Sequence, residues 1–127
     1  MTSFEVVAAF ERRVAKYAGA KYGVATNTCT SALFLSLLYR FHAQAVRGLI
    51  PYPRVNIPAH TFISVPMAIE QAGGFPSFVN YKWRGTYQLA PWDITDGALR
   101  FSRGMYEKDT LHCLSFHARK HLNIGEG

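Results

Sequence analysis

Three stretches hold side chains whose types and spacing could do chemistry. Asn27-Thr28-Cys29-Thr30-Ser31 is a hydroxyl-rich turn ahead of an apolar, helix-favouring run. Free backbone N–H groups at a helix start, joined by hydroxyl donors, suit a phosphate. The same residues could equally be an N-cap and nothing more. In Asp93-Ile94-Thr95-Asp96-Gly97-Ala98, Asp96 follows a short apolar strand, where α/β proteins place ligand groups. Asp93 competes for that role, and either acid could simply cap a turn. The third stretch is Ser115-Phe116-His117-Ala118-Arg119-Lys120, followed by Gly125-Glu126-Gly127. A lysine just beyond a buried strand can lose hydration, which lowers its pKa and makes its amine a nucleophile. A surface lysine would read identically. Cys113, His117 and His121 also have the spacing of zinc ligands, but on strand and loop that spacing need not converge.

The elements that must position these groups follow from periodicity. Thr2-Ser3-Phe4-Glu5 has the form of a capping box, and apolar residues at helical spacing up to Gly19 predict a helix over 3–18. Residues 22–25 are a short apolar run that reads as a buried strand. A second helix is predicted from Ser31 to about Val46, with Gly48 after it. Pro51-Tyr52-Pro53 marks a loop. Strand 55–58, helix 61–71 and strand 75–79 follow, Pro66 being tolerable only in a first helical turn. Residues 81–95 show no clear period and read as an irregular connection. A last strand is expected over 111–116, with a loop through Lys120 to the end. The alternation of helix and strand argues for an α/β layer with mostly parallel strands.

Length and composition narrow the function classes. A chain of 127 residues with 49% hydrophobic content is one domain with a single core. The net charge of +6 is compatible with an anionic substrate. Its basic residues are scattered, without the aromatic interleaving of a nucleic-acid groove, so no nucleic-acid partner is expected. No apolar run has the length of a membrane span, and no signal peptide is apparent at the start. Two cysteines make no disulfide framework and suit a reducing cytoplasm.

Four segments, in order, resemble the DegT/DnrJ/EryC1/StrS sugar aminotransferases. Phe4-Glu5 with residues 17–25 is similar to the opening helix and first strand of that family, and residues 27–33 to its phosphate-side turn. Pro58-Ala59-His60-Thr61-Phe62-Ile63-Ser64 resembles its Pro-Ala-x-Thr-Phe-x-Ser segment. Ser115-Phe116-His117-x-x-Lys120 with Gly125-Glu126-Gly127 resembles its lysine motif. The resemblance implies part of the large domain of a fold type I enzyme, a partial three-layer sandwich around a mostly parallel sheet, without the C-terminal domain. It implies pyridoxal 5'-phosphate held as a Schiff base on Lys120, which would also move protons. Asp96 would pair with the ring nitrogen and Phe62 would stack on the ring face. Thr30, Ser31 and Ser115 would hold the phosphate. A nucleotide-linked keto sugar as substrate, glutamate as amino donor and a homodimer are implied in the same way. Three departures stand out. Cys29 replaces a usual glycine, Leu99 stands where Gln or His is common, and the stretch between Val79 and Asp96 is short for the family.

Overall fold

A computed structural model describes residues 1–48 and 52–120. Pro51, His121 and the Gly125-Glu126-Gly127 part of the lysine motif lie outside the described residues.

Helix α1 spans Ser3–Ala18. Its start is the capping box: Thr2 Oγ1 accepts from the Glu5 N–H at 3.2 Å, and Glu5 Oε2 accepts from the Thr2 N–H at 2.6 Å. Gly19 ends it at φ 85°, a left-handed conformation that glycine adopts without a Cβ penalty. The helix buries only Ala15 and Ala18. Its C-terminus is tied to a distant loop, because the Tyr17 and Ala18 carbonyls accept from the Gly104 and Tyr106 N–H groups, both at 2.9 Å.

Residues 22–25 are a correction to the expected buried strand. They form no strand, and Tyr22 and Val24 are exposed at 75% and 82%. The Ala25 N–H goes to Glu11 Oε1 at 2.8 Å instead of a ladder carbonyl. Extended backbone becomes a strand only beside a neighbour, and none lies beside this segment among the described residues.

Helix α2, Cys29–Val46, begins two residues earlier than its apolar run suggests, because Thr28 caps it. Leu33, Leu37 and Phe41 recur every four residues and are buried. Strand β1, Arg54–Pro58, pairs in parallel with β2, Phe75–Val79, in the register Asn56 to Ser77. Helix α3, Ser64–Gln71, connects them and is shorter than expected at its start; Pro66 falls in its first turn. Gly74 makes the closing turn possible, since a Cβ there would meet the Phe41 ring at 2.8 Å.

The connection expected to be irregular contains structure. Strand β3, Tyr87–Gln88, pairs antiparallel with β4, Ile94–Gly97, and β4 pairs in parallel with β5, Leu111–Leu114. The last strand thus ends before Phe116. The fold is mixed α/β with two small sheets, β1-β2 and β3-β4-β5. Hydrogen bonds help to join them: Asn56 N–H bonds to the Ala90 carbonyl at 2.7 Å, and Trp92 Nε1–H bonds to the Arg54 carbonyl at 2.9 Å. One core serves both sheets, with Leu37, Val55, Ile57, Ile69, Leu89 and Ile94 fully buried. Among the described residues, no helix is long and apolar enough to cross a membrane.

Candidate active site

The site is built where the carboxyl end of β4 meets the start of α2. Asp96 is 7% exposed, and a buried carboxylate needs hydrogen-bond partners. Tyr87 O–H donates to Asp96 Oδ2 at 2.9 Å, and the Ala98 N–H donates to Oδ1 at 2.9 Å. Thr61 Oγ1 is hydrogen-bonded to the same Tyr87 hydroxyl at 2.5 Å. Asp93, the competing acid, is exposed, and its carbonyl accepts from the Leu111 N–H. Of the two, Asp96 is the one the fold takes out of water.

The α2 turn reaches the same place through Cys29. Its thiol packs against the core. Burial foremost, and then the charges of Asp96 and Cys113, push it far above an ordinary thiol, while Lys120 pulls it down. Asp96 and Lys120 therefore both act electrostatically on the first residue of α2. Cys113, the register partner of Asp96 on β5, is pushed up to about 11, chiefly by burial. Its sulfur lies 3.5 Å from Ser36 Oγ on α2. Both thiols are therefore protonated at neutral pH and behave as packing groups.

The hydroxyls divide into two sets. Thr28 Oγ1 takes the Ser31 N–H at 3.0 Å and lies 3.0 Å from Ser31 Oγ. Thr30 Oγ1 donates to Ser64 Oγ at the start of α3, at 3.1 Å. The first-turn N–H groups of Cys29 and Thr30 have no intrahelical acceptor, as at any helix start. Beyond β5, Ser115 Oγ accepts from the His117 N–H at 3.4 Å, and the Lys120 N–H closes a turn on the His117 carbonyl at 2.8 Å. Lys120 is half-buried. Phe62 is 73% exposed, between β1 and α3. Leu99 is 46% exposed. Among the described residues, no three His, Cys, Asp or Glu side chains converge on a metal position.

A sequence model of the DegT/DnrJ/EryC1/StrS aminotransferase family matches residues 1–99. The chain belongs to that family. The matched region includes the α2 turn, Thr61, Tyr87 and Asp96, and stops short of Ser115 and Lys120. The spore coat polysaccharide biosynthesis protein SpsC of Bacillus subtilis (strain 168) is 37% identical over 71 residues, which is 56% of this chain and 16% of that protein. The chain thus matches less than a fifth of the length of that relative.

Members of the DegT/DnrJ/EryC1/StrS family depend on pyridoxal phosphate, and the donor set suits that group. A buried acid, hydroxyls beside helix-start N–H groups, and a half-buried lysine are the kinds of group that such a cofactor needs. Two contributors went unread in the sequence. Thr61 lies inside the segment from which Phe62 was chosen, so its motif was visible but not its role. Tyr87 sits in the stretch without periodicity, and nothing there marked it.

Proposed function

We propose that the chain supplies the cofactor-binding part of an aminotransferase that moves an amino group, from glutamate, to a nucleotide-linked keto sugar. The observation that carries this reading is the buried Asp96 carboxylate, held by the Tyr87 hydroxyl and the Ala98 N–H within the part of the chain that matches the family. When bound, pyridoxal phosphate supplies an electron sink for the amino donor's α-carbon. Asp96 would accept the ring N–H and keep it protonated, as a carboxylate does for a cationic donor. Thr30, Ser31 and Ser115 would donate to the phosphate. Phe62 would cover a ring face. Lys120 Nζ would hold the aldehyde carbon and, once displaced by the incoming amino donor, would be free as an amine to take the proton from the donor's α-carbon. The small sheets would be part of a three-layer large domain, working in the cytoplasm as a homodimer with a C-terminal domain supplied by further sequence.

The test is an absorbance scan of the purified protein with pyridoxal phosphate, followed by borohydride reduction and peptide mapping. The expected adduct maps to Lys120 and disappears in Lys120→Ala. Adducts spread over many lysines, with no specific visible band, would refute the reading.

A second reading has its own observation. Leu99 stands where the family often has Gln or His, and it is 46% exposed beside the Asp96 turn. This supports a non-catalytic remnant or interaction module of the same fold. Transamination by the purified chain would exclude it.

A further inference from the structure

The Asp96 carboxylate has a brace that the proposed chemistry does not by itself require. Tyr87 and Asp96 are directly opposed in the antiparallel β3–β4 pair, so both side chains leave the same face of the sheet. The Tyr87 hydroxyl reaches Oδ2 while the Ala98 N–H holds Oδ1. Two donors on two different oxygens fix the plane of the carboxylate as well as its position. A single donor would leave rotation about the Cβ–Cγ bond open.

The brace is itself anchored. Tyr87 is 5% exposed, and its ring meets Trp83 edge to face with centroids 4.7 Å apart. Trp83 is in turn pinned by its Nε1–H to the His60 carbonyl at 2.7 Å. Thr61, the next residue, bonds the Tyr87 hydroxyl. A phenol has one proton, so when it donates to Asp96 it can only accept from Thr61. The chain of donors therefore runs Thr61 to Tyr87 to Asp96. Among the described residues, Cys29 from α2 and Cys113 from β5 also feel the Asp96 charge, Lys120 acts on Cys29, and Tyr81 acts on Tyr87. Both thiols are neutral near pH 7, so they do not compete as ionic partners.

We infer that Tyr87, braced by Thr61, is a positioning residue that orients the Asp96 carboxylate toward the ring nitrogen of the cofactor. This inference rests on the reading of Asp96 as the acid that pairs with that nitrogen. The polar link makes the segment before α3 part of the acid's support, although it is 35 residues away in sequence by the Thr61–Asp96 difference.

Two measurements on the full chain test it. The first needs no cofactor: melting temperatures of Tyr87→Phe, Asp96→Ala and the double variant. Tyr87→Phe keeps the ring and removes only the hydroxyl, and is expected to lower Tm by about 5 °C. The double variant should lose clearly less than the sum of the two single losses, because both changes remove the one bond they share. Additive losses would overturn the inference.

The second is pyridoxal phosphate affinity, measured well below every Tm with the fold checked by circular dichroism. Tyr87→Phe should weaken uptake about tenfold, the scale of one charge-assisted hydrogen bond. Thr61→Val should weaken it in the same direction, and Thr61→Ser, which restores the hydroxyl, should recover it. Rescue by serine separates positioning from packing. No uptake by the unaltered protein would sink the cofactor reading and this inference together. Uptake that Tyr87→Phe leaves unchanged would sink the positioning role alone.

Discussion

Trp92 decides whether the two small sheets behave as one cooperative unit. Its indole lies 7% exposed at the seam, with its ring edge to face on Phe41 at 4.9 Å and its Nε1–H on the Arg54 carbonyl at 2.9 Å. Trp92→Phe keeps an aromatic ring and removes that donor. The carbonyl of the first β1 residue then loses its partner, a cost of about 1–2 kcal/mol where water cannot fully replace it. The smaller ring also gives up apolar burial worth roughly 1 kcal/mol. The sum is about 2–3 kcal/mol, a large share of the ~5–15 kcal/mol that holds a domain together, and a fall in Tm of about 10 °C. Thermal and urea unfolding should be followed by far-UV circular dichroism, since the substitution alters fluorescence directly. Hydrogen exchange supplies the sharper readout. If Trp92 joins the sheets, the amides of Val55, Ile57 and Ile94 should lose protection together. A loss below about 1 kcal/mol, or deprotection of β1 alone with β4 untouched, would refute the reasoning.

Two further outcomes concern ionisable side chains. Burial lowers the His112 pKa, against a smaller upward pull from Glu107, and its Nδ1 is buried without a partner. The folded state therefore favours the neutral ring, so its stabilisation is present above the ordinary value of about 6.5 and is lost as pH falls below it. Tm measured at about pH 7.5 and about pH 5.5 should drop less in His112→Gln than in the unaltered protein; equal drops would remove His112 as a cause. The thiols offer a kinetic check. With Cys113 at about 11 and Cys29 higher still, alkylation by iodoacetamide near pH 8 should run on the order of a hundredfold slower in the folded than in the urea-unfolded chain. Rapid labelling of either cysteine in the folded state would contradict their burial.

What was legible in the sequence was whatever local chemistry fixes. The bounds of α1 follow from a capping box and a glycine, and both act within a few residues. The strand 75–79 lies between a diglycine and a polar turn, and is read correctly for the same reason. Asp96 stands out in the sequence because small residues follow it directly, and the fold buries it. The misses have the opposite character. Residues 22–25 have the apolar composition of a strand, but a strand depends on a neighbour, and a single chain segment carries no record of one. The start of α2 was misplaced because Thr28, not the apolar run, sets it. Tyr87 was invisible because its role depends on pairing with Asp96, and a two-residue strand leaves no period to detect.

The short stretch between Val79 and Asp96 bears on that last miss. Here the chain forms a connection that folds back on itself. Leu89 N–H bonds to the Ile94 carbonyl at 2.8 Å, and Gln88 Nε2 to the Trp92 carbonyl at 2.9 Å. A turn this tight brings Tyr87 back alongside β4, covering an edge whose N–H and C=O groups would otherwise lack a partner. Directly opposed residues in such a pair project side chains from the same face at close range, so the phenol reaches the carboxylate without a special loop. A longer connection would have no reason to return a side chain to that register. The tight turn and the polar brace on Asp96 are thus one structural event. Lengthening the 89–94 turn should cost the Tyr87–Asp96 bond before it costs the core.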